Sequence, residues 1–144
     1  MIPERKRLVY ESWQRLTPLY GRIADAFYDR LFEIDQHARE LFARTDMTQQ
    51  KAKVIAMLSD IVRNLDHMDG LFPIVLGLGR RHRGYGVEER DYDRVRDALL
   101  GAIGDALGDE LTPDVRSAWE EAYTFTASVM KRVGETATAP PPSR

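Results

Sequence analysis

TQQKAKVIAMLSDIVRNL, residues 48–65, carries Val54, Met57, Leu58, Ile61 and Leu65 at steps of three and four, which puts them on one face of an α-helix. On its N-terminal side the polar run Arg44-Thr45-Asp46 offers Asp46 or Thr48 as the cap for the first free amides. A short helix is expected around His37–Phe42. Before it, Ile23, Ala24, Phe27, Leu31 and Phe32 make a stripe, with Tyr28 four residues from both Ala24 and Phe32 and so near its buried edge. Pro18 is placed to open that helix, and Leu8, Val9, Ser12, Trp13 and Leu16 form the stripe of the first one.

The same periodicity continues toward the C-terminus. Leu71 to Leu78 is apolar, but Pro73, Gly77 and Gly79 predict a short, irregular helix ending near His82. Gly84-Tyr85-Gly86 reads as a turn. The next helix carries Tyr92, Val95, Leu99, Ile103 and Leu107 up to Gly108, and Thr112-Pro113 opens the last. That helix presents Val115, Trp119, Ala122, Tyr123, Val129, Met130 and Val133, with Gly134 as its C-cap and residues 134–144 as a Pro-rich tail. No stretch sustains alternation of apolar and polar residues, so the fold class is all-α.

A chain of 144 residues with 43% hydrophobic side chains suits one core. A formal charge of −2 gives no positive field to gather nucleic acid or anionic lipid, so neither nucleic acid nor membrane is an expected partner. The absence of cysteine removes disulfides, thiolate metal sites and cysteine nucleophiles, leaving histidine and carboxylates as metal ligands. The charged opening MIPERKRLVYESW lacks a signal peptide's apolar stretch, and no run approaches 18 apolar residues, so a cytoplasmic location is expected.

Other chemistries find little support. Gly77-Leu78-Gly79 begins like a dinucleotide fingerprint, yet His82 stands where the third glycine belongs and no strand precedes it. Glu88-Glu89 and Glu120-Glu121 read as solvated charge, and there are no paired Glu-x-x-His motifs for a di-iron bundle.

Four motifs and two single residues carry more information jointly than alone: AFYDRLF at 26–32, RELFARTDM at 39–47, Gln50, LGRRHRGYGV at 78–87, Tyr92 and AWEEAYTF at 118–125. In this order and spacing the chain resembles the bacterial single-domain globins and the globin half of flavohaemoglobins, over roughly residues 5–133. The resemblance implies a globin fold around a haem b (iron protoporphyrin) pocket, with a haem-binding domain at 1–133 and a disordered tail at 134–144. Only eight residues separate Phe42 and Gln50, so the short helix that can stand between the third and the ligand-side helix is expected to be missing.

By the same resemblance His82 is the iron ligand, Tyr28 lies over the iron on the ligand side, and Phe42 packs on the haem. His37 precedes a charged run and His67 sits where a helix frays, so neither competes with His82. The second ring nitrogen of His82 is expected to donate to a backbone carbonyl near Leu78 or to the Tyr92 hydroxyl. Tyr28 is the first-choice donor to a diatomic ligand that gains negative charge, and Gln50 the second. The neighbouring Gln49 points about 100° away around the helix. Val54, Met57 and Leu58 continue the wall, and Lys53, Arg80 and Arg81, with Arg81 preferred, are placed for the haem propionates.

The expected function is reversible binding of oxygen, carbon monoxide and nitric oxide, for storage, delivery or sensing. A nitric oxide dioxygenase is the enzymatic alternative. The tail ATAPPPSR holds nothing for a flavin, so that activity would call on a separate flavin reductase. The family often pairs its tyrosine with a glutamate in the last helix; the aligned position here is Gly134, with Glu135 one step round, which weakens the expected proximal push. A haem-free globin-like sensor or interaction module is the third reading.

Overall fold

Two aspartates set the frame around the middle of the chain. Asp35, in extended conformation, accepts from the amides of His37 and Ala38, and Asp46 accepts from those of Thr48 and Gln49. Each carboxylate satisfies amides that a helix start leaves open. The computed structural model describes residues 1–67 and 89–136, and the helices among them are α1 (Pro3–Arg15), α2 (Tyr20–Ile34), α3 (Gln36–Leu41), α4 (Met47–Arg63), α5 (Glu89–Leu107) and α6 (Pro113–Thr136). Asp46 rather than Thr48 is therefore the cap of α4, and residues 42–46 form a turn with no helix between α3 and α4. The all-α expectation holds.

Three local expectations are corrected. Pro18 lies in a single 3-10 turn, Thr17–Leu19, and α2 starts after it at Tyr20. The tighter turn uses the missing amide of proline while redirecting the chain between two long helices. Gly134 does not end α6, which runs to Thr136; one glycine costs a helix about 1 kcal/mol relative to alanine, too little to stop it. Met57 is half-buried, while Val62 joins Val54, Leu58 and Ile61 in the core. The expected helix over Leu71–Leu78, the turn at Gly84-Tyr85-Gly86 and the tail beyond Thr136 lie outside the described residues.

The main helix pairs are α2 against α5, α1 against α6, and α4 against both α1 and α2. The α2 stripe of Ile23, Ala24, Phe27, Tyr28 and Leu31 is buried as its spacing requires. At the α1–α4–α6 junction the Trp13 and Trp119 rings meet edge to face, 5.9 Å between centroids. Trp119 Nε1 donates to Ser12 Oγ at 2.9 Å, and Trp13 Nε1 to Ser59 Oγ at 3.0 Å. Ser12 Oγ in turn donates within α1 to the Leu8 or Val9 carbonyl, at 2.7 and 3.0 Å. Gly108 closes α5 in the left-handed region at φ 56°, where a side chain would be strained. No helix among the described residues is long and apolar enough to cross a membrane.

Ser12 is fully buried and is the acceptor for the Trp119 indole. Ser12→Ala leaves that N–H unpaired in the core and is expected to cost about 1–3 kcal/mol, read as a lowered midpoint of urea unfolding with unchanged slope.

Candidate functional site

Tyr28 occupies the inner face of α2, only 3% exposed, among three aromatic rings. The centroid of Phe27 lies 4.8 Å from its ring, that of Phe42 5.6 Å and that of Phe32 5.8 Å, while Phe32 and Phe42 are 5.9 Å apart. Phe32 follows Tyr28 by one helical turn. Phe42 arrives from the end of α3, whose backbone its amide closes by donating to the Ala38 carbonyl at 3.2 Å.

The Asp46 cap determines which glutamine of the first turn of α4 reaches this pocket. Gln50 is half-buried and its Nε2 donates to the Tyr28 hydroxyl oxygen at 3.1 Å, whereas Gln49 is exposed. With the amide as donor, the hydroxyl hydrogen of Tyr28 has no acceptor among the described residues. Burial raises the Tyr28 pKa above the ordinary phenol value, and the bond from Gln50 pulls the other way. The phenol is therefore neutral at physiological pH, held in place and with no acceptor for its proton among the described residues.

Val54, one turn beyond Gln50, is buried, and Met57 is half-buried beside the core. Lys53 is exposed. The neighbouring Lys51 reaches α2 instead, with Nζ 3.0 Å from Asp25. On α5, Tyr92 is half-buried; its carbonyl accepts from Tyr123 Oη at 2.6 Å, and Lys131 Nζ stands 5.1 Å from the centre of its ring. Leu78, Arg80, Arg81 and His82 lie outside the described residues. The other two histidines, His37 and His67, are both exposed. Among the described residues no group of three or more His, Asp or Glu is placed to hold a metal.

The structure thus brings together Tyr28, Phe42 and Gln50, with Val54 following Gln50 on α4. Sequence reasoning passed over Phe32 as a site residue, although its place four residues after Tyr28 was the available signal. It also passed over the grip of Tyr123 and Lys131 on Tyr92. These two residues are eight positions apart on α6, which brings them to one side of that helix, but only their meeting with α5 reveals a shared target.

Comparison with known proteins places these features in a family. The Globin family pattern matches residues 25–130. The chain is 36% identical over 108 residues to a flavohemoprotein of Bacillus subtilis and 38% identical over 112 residues to one of Xylella fastidiosa. These matches cover 73% and 76% of the chain but 27% and 28% of the relatives, so it spans little more than a quarter of their length. A neuroglobin of Dissostichus mawsoni is 27% identical over 140 residues, 88% of each chain. Among solved structures, a hexacoordinated heme protein from an anhydrobiotic tardigrade superposes with a TM-score of 0.83 over 94% of this chain and 96% of its own, at 16% identity.

Burial raises the pKa of Tyr28 and of Tyr123 alike, with the neighbouring Tyr92 adding to the rise at Tyr123. A folded-state pKa above the unfolded value means that the stabilisation is complete below about pH 10 and is lost as pH rises through the folded value. Tyr28→Phe is accordingly expected to unfold less steeply than the wild type as pH is raised above 10, followed by far-ultraviolet circular dichroism.

Proposed function

The chain belongs to the globin family, and on that footing we propose that it is a haem protein that binds oxygen and other diatomic gases reversibly. The observation that carries the reading is the Tyr28 phenol: buried, fixed by Gln50 and ringed by Phe32 and Phe42, with no acceptor for its own hydrogen among the described residues. The donor set fits the group. Aromatic and aliphatic side chains suit the faces of a porphyrin, and a neutral phenol with an amide behind it suits a small ligand that draws electron density.

When bound, the haem iron supplies the position at which a diatomic gas is taken up. The work of the chain is to shape and polarise the space around that position. Tyr28 would donate a hydrogen bond to the gas, and Gln50 holds the phenol by donating to its oxygen. Val54 and Met57 add apolar bulk along α4. We assign the iron-ligating nitrogen to His82, which would hold the haem iron when it is bound; the exposure of His37 and His67 and the resemblance of LGRRHRGYGV to the family pattern support this. In the same reading Leu78 and Tyr92 would orient the histidine, Arg81 and Lys53 would meet the propionates of haem b, and Phe42 would pack against the haem.

The likeness to flavohemoproteins favours one second reading, nitric oxide dioxygenation, with the reducing equivalents supplied by a separate flavin reductase. A diatomic donor pocket serves both activities. Nitric oxide consumption coupled to a reductase, no faster than that of an unrelated globin, would dismiss the second reading and leave the first.

The test of the first is the visible spectrum of the purified protein, reduced with dithionite and exposed to carbon monoxide. A carbonyl haem spectrum is expected for wild type and its loss or strong alteration for His82→Ala. Tyr28→Phe should bind haem normally but weaken oxygen binding roughly ten- to a hundred-fold, the value of one hydrogen bond to a charged acceptor. Protein that takes up no haemin would overturn the reading.

A further inference from the structure

Asp35 is the one charged side chain buried among the described residues, at 6% exposure. Capping a helix does not call for a buried charge, since serine, threonine or asparagine does as well where the site is dry. The carboxylate has a second partner. Arg94 Nη1, from α5, stands 3.4 Å from Asp35 Oδ1, the same oxygen that accepts from the amides of His37 at 3.0 Å and Ala38 at 3.3 Å. Arg94 is steadied from its own helix by Asp91, at 3.9 Å.

We propose that Asp35 is a positioning residue for the gas-facing Tyr28, acting through α3 and Phe42, with Arg94 holding it from α5. The links are continuous. Asp35 fixes the Ala38 amide, the Ala38 carbonyl accepts from the Phe42 amide at 3.2 Å, and the Phe42 ring packs edge-on against Tyr28. With six residues, α3 is far too short to hold its own shape, so its cap decides where Phe42 stands. The ion pair anchors that cap to α5, the helix that also carries Tyr92. Loss of the pair lets α3 shift, opens the triangle of Tyr28, Phe32 and Phe42, and lets the phenol leave the line set by Gln50.

This inference rests on Tyr28 being the donor to the gas. Its test is the infrared stretch of carbon monoxide taken up by the reduced haem protein, a readout of hydrogen bonding that a loss of global stability does not move. Tyr28→Phe sets the reference, with the band shifted to higher wavenumber by loss of the donor. Asp35→Asn keeps a capping oxygen but loses the charge, and Arg94→Gln removes the partner. Both are expected to show a broadened or second band carrying part of that upward shift, and Asp35→Ala more of it. Arg30→Gln, which removes the Arg30–Asp105 pair between α2 and α5, is expected to keep the wild-type band. If Asp35→Asn and Arg94→Gln fold, take up carbon monoxide and show the wild-type band and width, Asp35 is a structural cap only and the proposal falls. A Tyr28→Phe band identical to wild type would instead remove the reading of Tyr28 on which the proposal stands, while leaving carbon monoxide uptake itself established.

Discussion

The hydrogen bond from Gln50 to Tyr28 ties α4 to α2 and leaves the phenol's own hydrogen without an acceptor among the described residues. A phenol oxygen at the inner face of a helix must find a partner, because an unsatisfied polar group there costs about 1–3 kcal/mol. One amide hydrogen meets that need without consuming the phenol's own proton. Had the partner been a carboxylate or a carbonyl, the hydroxyl would have spent its hydrogen on the protein. The choice of glutamine therefore lets one contact serve packing and, in the proposed function, recognition, and ties the register of α4 to the orientation of Tyr28.

That register is set locally. Asp46 fixes the first turn of α4, and the turn decides that Gln50 faces α2 while Gln49 faces solvent. Asp35 does the same for α3 and hence for Phe42. Two short-range rules about helix starts thus place Gln50 and Phe42 at the phenol, and α2 supplies Phe27 and Phe32. The remaining packing, from the indoles of Trp13 and Trp119 on the serines of α1 and α4, lies elsewhere in the molecule and holds the helices without entering the pocket.

Much of this was legible before any coordinates. The stripes of α2, α4, α5 and α6, the Asp46 alternative and the pairing of Tyr28 with Gln50 follow from spacing and from motif resemblance, because helical periodicity and capping are local properties. What failed was also local in appearance but tertiary in cause. Pro18 looks like a helix opener until the angle between α1 and α2 demands a tighter turn. Gly134 looks like a stop until the length of α6 outweighs it. The ion pair of Asp35 with Arg94 joins residues far apart in the chain and has no signature in either segment. The family pattern supplied His82, which no argument from periodicity could have separated from a solvated histidine.

The contact between α1 and α6 joins nearly the whole length of the chain: Trp119 finds Ser12 across 107 residues, and Arg5 finds Glu121 across 116. Such a closure is slow to search and is rewarded only when both helices exist. While the polypeptide is being made, Trp13 can already stack on Tyr20 and reach Ser59 of α4, but the side of α1 that receives Trp119 must wait, uncovered, until α6 has emerged. The polar and charged flank of α1, with Glu4, Arg7, Glu11 and Arg15 all exposed, keeps this early apolar strip in solution through that interval. The outer face of the first helix thus answers to the history of the chain as well as to its finished form.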